Sequence, residues 1–139
     1  MPYPEMMLTP MRAELTNNGF TELKTEEDVQ NAFNNAEGTM LIMVNSVCGC
    51  AAGAARPGVL ESLNNNKKPS KLYTVFAGQD LDATATARGF MLPYPPSSPS
   101  VALFKDGNLV HMVERKNIEG YNYIAISENL KSAYEKYCW

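Results

Sequence analysis

The chain has 139 residues, of which 45% are hydrophobic and 19% are charged, a composition that suits one globular domain and excludes a disordered chain. The formal net charge of −3 argues against a nucleic-acid partner, because proteins that bind nucleic acids usually carry a basic face. The longest apolar run, near Thr39–Val44, is far shorter than the ~20 residues of a membrane-spanning helix, so we expect no membrane partner.

The cysteine content and the opening residues indicate the compartment. The chain holds three cysteines, an odd number that does not make a disulfide framework. The opening stretch MPYPEMMLTP has neither the basic region nor the cleavage pattern of a signal peptide. We therefore expect a cytoplasmic protein, in a reducing compartment where a close cysteine pair is more often catalytic or metal-binding than structural.

Helical and strand patterns alternate along the first half of the chain. The clearest signals are the helical spacing of Val29, Ala32 and Phe33 and the unbroken apolar run TMLIMVN. In chain order we predict a helix opened by Thr9 and Pro10 and closed by Asn17–Gly19, a short strand over Phe20–Leu23, a helix capped by Thr25 and ended by Gly38, and a buried strand over Thr39–Asn45.

The second half continues the alternation and ends in a hairpin and a helix. In chain order we predict a helix from Ala51 to about Asn64 with a break at Pro57-Gly58, a buried strand over Lys71–Ala77, and a helix capped by Asp80 and ended by Gly89. A proline-rich loop, LPYPPSSPS, leads to a hairpin of Ser100–Lys105 and Leu109–Glu114 around the turn DGN. The last helix has an apolar stripe of Ile126, Leu130, Ala133 and Tyr137. The whole order predicts an α/β protein, with helices on both faces of a sheet that is parallel in part and antiparallel at the hairpin.

Two of the three cysteines, Cys48 and Cys50, stand one residue apart in the stretch NSVCGCAAG. This stretch joins the buried strand to a helix start, where free backbone amides and the helix dipole favour a thiolate, the reactive form of cysteine. Gly49 is expected to allow backbone angles that a side chain would resist, and Cys50 then falls within reach of Cys48. A bridge across so short a loop gains little unfolded-state entropy, so the pattern favours a redox pair over a structural disulfide.

Other interpretations of the pair remain open at this point. Cys48 and Cys50 could be two small buried side chains, or two soft ligands of a metal-handling or redox-sensing module. A metal site needs further ligands, and the chain offers only His111 and the distant Cys138, so we expect no bound metal. His111 is better explained as an ordinary strand residue.

A third alternative begins at Cys50, because Cys50 to Arg56 reads C-x5-R. This spacing is similar to the phosphate-binding loop of tyrosine phosphatases and of one arsenate reductase class, in which the arginine binds phosphate oxygens. Pro57 stands where that motif has a hydroxyl residue, and AAGAA favours a helix rather than an open loop. Arg56 is therefore interpreted as a surface or helix-packing residue.

The stretch NSVCGCAAGAARPG resembles the signature of the bacilliredoxin family, thioredoxin-like proteins with C-G-C in place of C-x-x-C. The resemblance extends to LTPMR, GFMLPYPPSSPSVALFKDG and MVERKNIEG, and thus covers most of the chain. It implies a single thioredoxin-like domain over residues 1–139, with a central mixed sheet of four to five strands. It also implies a thiol–disulfide oxidoreductase that removes a small thiol, bacillithiol or a similar one, from S-thiolated client proteins, or isomerises disulfides, without a cofactor.

The resemblance also implies residue roles. Cys48 would be the attacking cysteine and Cys50 the second motif cysteine, which resolves the adduct. Ser98 and Pro99 would occupy the position where a cis-proline faces the active cysteines of the thioredoxin fold, and the Ser98 backbone would pair with a bound peptide. Apart from the resemblance, Cys138 is a candidate resolving or accessory thiol, although a cysteine in such a position is more often a packed or idle side chain.

Overall fold

The computed structural model describes residues 3–34 and 36–138. Its helices are α1 Glu5–Thr16, α2 Glu26–Asn34, α3 Arg56–Ser62, α4 Leu81–Gly89 and α5 Tyr123–Tyr137. Its strands are β1 Thr21–Glu22, β2 Thr39–Asn45, β3 Lys71–Phe76, β4 Ser100–Lys105 and β5 Asn108–Val113. A π-helical segment, Ala51–Ala55, runs directly into α3, and a 3-10 turn, Arg115–Asn117, follows β5. No helix among the described residues combines the length and apolarity needed to cross a bilayer.

The strands form one five-stranded sheet in the order β1-β3-β2-β4-β5. β3 pairs in parallel with both β1 and β2, whereas β4 pairs antiparallel with β2 and with β5. The turn between β4 and β5 places Asp106 and Gly107 at positive φ, the conformation that aspartate and glycine tolerate best. The predicted mixed sheet with a carboxyl-terminal hairpin is thus confirmed.

The core has two layers because β2, at the centre of the sheet, is buried along its whole length. Leu41 and Met43 pack on one face, with apolar residues of α3, α5 and the π-helical segment. Met40, Ile42 and Val44 pack on the other face, with residues of α2 and α4. The alternation of these side chains explains why an unbroken apolar run forms a strand here, with helices covering both faces.

The first helix begins five residues earlier than its sequence signals suggest. α1 begins at Glu5, and Pro10 lies inside the helix instead of opening it. Leu8, Arg12 and Leu15 form a buried stripe at helical spacing that continues across Pro10. Burial of this stripe outweighs the one backbone hydrogen bond that Pro10 cannot donate.

Asp80 precedes α4 as predicted, but its carboxylate does not cap the helix. Both oxygens of Asp80 instead accept hydrogen bonds from the guanidinium of Arg12, at 2.8 and 3.2 Å. Arg12 is buried, and its guanidinium carbon also lies 5.1 Å from the centre of the Phe76 ring. The charge-assisted pair joins α1 to the start of α4, which a capping bond within α4 would not do.

The helix after the cysteine pair is irregular before Pro57, where we predicted a break at Pro57-Gly58. Ala51–Ala55 adopt a π-helical turn, in which the Arg56 N–H donates to the carbonyl of Ala51. α3 then runs regularly through Pro57 and Gly58 to Ser62. Because Pro57 has no N–H to donate, the irregularity falls in the preceding turn.

Candidate active site

Cys48 and Cys50 lie where the central strand gives way to a helix, as predicted. β2 ends at Asn45, and the helical conformation begins at Gly49. The Cys48 carbonyl accepts hydrogen bonds from the backbone N–H groups of Ala51 and Ala52, at 3.0 and 3.4 Å. Cys48 thus directly precedes the helix and its carbonyl accepts the first hydrogen bonds of the helix, so the residue lies at the positive end of the helix dipole.

The two cysteines form an intrachain disulfide, with their Cα atoms 5.5 Å apart. Both residues are half-buried. A thiolate at this position would gain from the amides of the helix start. The predicted reach of Cys50 to Cys48 is therefore confirmed.

Gly49 has a different role from the one we expected. Its φ does not lie in the left-handed region, and a Cβ built on it would meet no atom within 4 Å. The residue adopts ordinary helical angles because it opens the helix. Neither backbone conformation nor local space requires a glycine here.

A buried polar network centred on Asn45 holds the loop that carries Cys48. The Asn45 amide nitrogen donates to the Met11 carbonyl of α1 at 3.2 Å. Its side-chain oxygen accepts from the Ser46 N–H and from Arg56 Nη1, both at 2.9 Å. Ser46 Oγ then accepts from the Cys48 N–H at 3.2 Å. These bonds link Asn45 to Ser46 and Ser46 to Cys48, and so hold the loop between β2 and the helix in place.

Arg56 is the cation of this network, and only 1% of the residue is exposed. Besides Asn45, its guanidinium donates to the Ser46 carbonyl at 3.0 Å and to Glu14 Oε2 at 3.0 Å. Of the two interpretations of Arg56, the surface residue is wrong and the helix-packing residue is correct, because α1 and β2 cover the side chain. These bonds aim the guanidinium at the protein, and the residues after Cys50 are helical, so the geometry does not form the open phosphate loop of the C-x5-R alternative.

Ser98 and Pro99 lie at the same end of the sheet as the cysteine pair. β2 and β4 pair antiparallel with Val44 opposite Ser100, so the residues after β2 lie beside those before β4. The peptide bond between Ser98 and Pro99 is cis, as the resemblance implies. A second cis bond joins Leu92 to Pro93 in the same proline-rich loop.

Arg115 reaches this loop from the end of β5, a contact that the sequence did not reveal. Its Nη1 donates to the Ser98 carbonyl at 3.1 Å, and its backbone N–H donates to Ser97 Oγ at 3.4 Å. The same guanidinium pairs with Glu119 at 2.9 Å. The position of Arg115 just after a hairpin strand gave no signal, because the contact depends on which loop the strand end approaches.

Cys138 lies far from the pair. It is fully buried in the core beside α5, and it hydrogen-bonds to Thr39, at the start of β2, whereas Cys48 follows the end of that seven-residue strand. Burial raises the pKa of the Cys138 thiol, which keeps it in the unreactive protonated form. The structure does not bring this candidate accessory thiol to the site.

His111 lies on β5, and its Nε2 is 2.7 Å from Asn129 Oδ1 of α5, in keeping with an ordinary strand residue. Within residues 3–34 and 36–138, no three histidine, cysteine, aspartate or glutamate side chains come together as a metal site would require. The metal-handling alternative therefore gains no third ligand for Cys48 and Cys50.

Solved structures with a similar fold include several thioredoxins. Thioredoxin NaTrxh from Nicotiana alata superposes with a TM-score of 0.62 at 14% identity, over 88% of this chain and 95% of that one. Thioredoxin O2 from Arabidopsis thaliana, in its oxidized state, gives a TM-score of 0.60 at 18% identity, over 85% and 96% of the two chains. At these identities the likeness shows the fold alone, and the fold is thioredoxin-like as the resemblance implied.

Sequence comparison is more specific than the fold. The profile of the family described as disulphide isomerase matches residues 3–138. A bacilliredoxin of Cytophaga hutchinsonii is 58% identical over 134 residues, which cover 96% of this chain and 98% of the relative. A bacilliredoxin of Halalkalibacterium halodurans is 51% identical over 136 residues, covering 98% and 94%. The chain therefore belongs to the bacilliredoxin family, and it is a thiol–disulfide oxidoreductase.

Proposed function

We propose that this oxidoreductase removes a low-molecular-weight thiol, bacillithiol or one like it, from mixed disulfides on client proteins in the cytoplasm. The observation that carries the proposal is the half-buried Cys48–Cys50 disulfide at a helix start beside the loop of Ser98 and Pro99. The name of the close relatives, bacilliredoxin, supports bacillithiol as the thiol. The disulphide isomerase description of the family supports isomerisation of client disulfides as a second proposed activity of the same pair.

The first step is exchange at Cys48. The Cys48 thiolate attacks the small-thiol sulfur of a client–S–S–R disulfide, where RSH is the small thiol. A Cys48–S–S–R bond forms while the S–S bond to the client breaks, and the client leaves as a thiolate that takes a proton from water. The amides and dipole at the helix start stabilise the Cys48 thiolate before attack.

The second step restores the enzyme by one of two routes. A second RSH can attack the adduct, releasing RSSR and the Cys48 thiolate, so that the client is reduced and the small thiol is oxidised. Alternatively, Cys50 displaces R as a thiolate and forms the Cys48–Cys50 disulfide. Two further RSH molecules then reduce that disulfide to the dithiol and leave as RSSR. Both routes use only thiols, so we expect no cofactor and no metal.

The client segment would bind along the Ser98 backbone. Among the described residues no acceptor receives the Ser98 N–H, and the Ser98 carbonyl has a second lone pair besides the one that Arg115 uses. An extended client segment could therefore exchange two backbone hydrogen bonds with Ser98, next to the attacking sulfur. Such backbone pairing would accept many client sequences.

The test is turnover of a model protein that carries one S-thiolated cysteine. We expect Cys48→Ser to abolish release of the small thiol, and Cys50→Ser to accumulate the adduct on Cys48. Cys138→Ala is the matched control, because it removes a cysteine that lies outside the site, and it should retain turnover. Wild-type rates in both Cys48→Ser and Cys50→Ser would overturn the proposal.

A further inference from the structure

A solvent-open pocket adjoins the cysteine pair. Its volume is about 500 Å³, and Val47 and Ser98 line one side of it. Val47 directly precedes Cys48, and Ser98 precedes the cis-proline, so the pocket lies next to the loop that carries the cysteine pair. Tyr3 and Leu81, both well exposed, add apolar surface to the pocket, and Arg88 supplies the only charged side chain among the described residues that line it. The volume is in the range of small-molecule sites.

Arg88 differs from the other arginines because the described residues give it no anionic partner. Arg12, Arg56 and Arg115 have carboxylate oxygens at 2.7, 3.0 and 2.9 Å. Within the described part of the chain, no carboxylate lies within ion-pair distance of Arg88, and its one hydrogen bond is a long contact of 3.4 Å from Nη2 to the Ser97 carbonyl. Its Nε is buried and meets no acceptor among the same residues.

An arginine in this state is costly to the folded protein. Burial of its guanidinium lowers the pKa of Arg88, since part of the hydration of the cation is lost and no anion replaces it. Arg88 is half-buried, and an uncharged side chain of similar size would avoid both the lost hydration and the unsatisfied Nε. The missing partner is an anion, and the pocket is the place from which it can approach.

We propose that the pocket binds the small thiol of the reaction and that Arg88 binds a carboxylate of that thiol. This inference rests on the proposed function and adds the chemical class of the co-substrate: a low-molecular-weight thiol that carries a carboxylate. A guanidinium presents paired N–H donors that match a carboxylate, while Val47 and Leu81 offer apolar contact to the carbon chain between the carboxylate and the sulfur. The bound carboxylate places the sulfur of the thiol against Cys48.

Two model clients separate charge recognition from simple reactivity. One carries 3-mercaptopropionate on its single cysteine and the other carries 2-mercaptoethanol, so that the thiols have similar size and differ in the carboxylate. We measure kcat/KM for release of each small thiol and divide the value for the carboxylate client by the value for the hydroxyl client. We expect the wild type to prefer the carboxylate client, and added salt to narrow the preference.

Arg88→Gln should cut the rate with the carboxylate client about tenfold and leave the hydroxyl client within about twofold, because hydrogen bonds to a charged group contribute the most. Arg88→Lys, which keeps the charge, should retain part of the preference. Lys68→Gln is the matched control. Lys68 precedes β3, whereas the pocket adjoins the residues that follow β3, so the change removes one positive charge away from the pocket and should leave the ratio unchanged.

The inference fails if Arg88→Gln slows both clients equally, since Arg88 would then act only through the loop at Ser97. It also fails if the wild type shows no preference for the carboxylate client, a result that needs no variant. Failure of the proposed function looks different: the wild type would release neither small thiol, or Cys48→Ser would release both at the wild-type rate.

Discussion

The carbonyl of Ser98 accepts a hydrogen bond from Arg115 Nη1 at 3.1 Å, which ties the residue before the cis-proline to the end of β5. The Arg115 side chain is about half exposed, so the bond adds little to global stability. Its effect is local, because it fixes the direction of the backbone that would receive a client segment.

Arg115→Met should therefore raise KM for a protein client several-fold, with little change in the rate toward a small disulfide. Glu119→Gln is the control, because it removes the ion pair of Arg115 but leaves the bond to Ser98 possible. Steady-state kinetics with both substrates measure the effect. An unchanged KM in Arg115→Met would show that clients do not use the Ser98 backbone.

Arg56 should contribute more to stability than any other side chain near the cysteines. Arg56→Met leaves the Ser46 carbonyl without its donor and removes one donor from Asn45, so we expect a loss of about 3 kcal/mol in the free energy of unfolding. Glu14→Gln should cost less than about 1 kcal/mol, because the Glu14 carboxylate is partly exposed.

Urea unfolding of both variants measures the change in stability. The rate of thiol exchange by the folded protein then shows whether Arg56 also affects the cysteine pair. Arg56→Met should also slow exchange, since Ser46 positions the Cys48 N–H. Equal stability of the two variants would contradict a structural role for the buried guanidinium.

Close packing of α3 on α5 depends on Gly58. A Cβ on Gly58 would lie 2.9 Å from Cβ and Cγ2 of Ile126 and 3.0 Å from the Tyr123 carbonyl oxygen. Gly58→Ala should therefore destabilise the protein by about 1–3 kcal/mol through overpacking. Gly53→Ala is the matched control, because a Cβ there meets nothing within 4 Å, and it should be neutral or stabilise by about 0.5 kcal/mol. Thermal unfolding of Gly58→Ala and Gly53→Ala tests the packing argument, and an equal shift in Tm for the two variants would refute it.

Alkaline pH should destabilise the fold through Tyr134. This side chain is buried, and its hydroxyl lies 2.9 Å from Ser62 Oγ. Burial raises the pKa of Tyr134 well above its usual value, so the folded state holds the phenol proton more tightly than the unfolded state does. The resulting stability is fully present below the unfolded-state pKa of about 10 and is lost as the pH rises above it.

Urea midpoints between about pH 8 and about pH 11 measure this effect in the wild type and in Tyr134→Phe. The variant should lose about 1 kcal/mol at the lower pH, for the hydrogen bond with Ser62, and should decline less steeply above about pH 10. Parallel curves for the two proteins would contradict the assignment to Tyr134.

The features that could be predicted from the sequence depend on neighbours along the chain. The unbroken apolar run of β2 indicated a strand buried on both faces, and its end followed by small helix-forming residues placed Cys48 at a helix start. The capping bond from the Asp28 N–H to Thr25 Oγ1, at 3.0 Å, also follows from local spacing. These signals were sufficient for the mixed sheet and for the position of the cysteine pair.

The features that could not be predicted depend on contacts between distant residues. Asp80 lies 68 residues from Arg12, and that partner takes the carboxylate away from the helix it precedes. The C-x5-R spacing drew attention to Arg56, but only the approach of α1 and β2 shows that the residue is buried. That Arg88 has no ion-pair partner among the described residues is still harder to predict, because it depends on where every carboxylate in the fold lies.

The central claim is that Cys48 attacks and Cys50 resolves. Its most direct test is tandem mass spectrometry of Cys50→Ser after incubation with a client that carries one S-bound small thiol, without added reductant. We predict that Cys50→Ser gains the mass of one small thiol and that fragmentation locates this adduct on Cys48. The Cys48→Ser protein should form no adduct under the same conditions. An adduct on Cys50 in the Cys48→Ser protein, at the rate seen for Cys48, would contradict the assignment of the two roles.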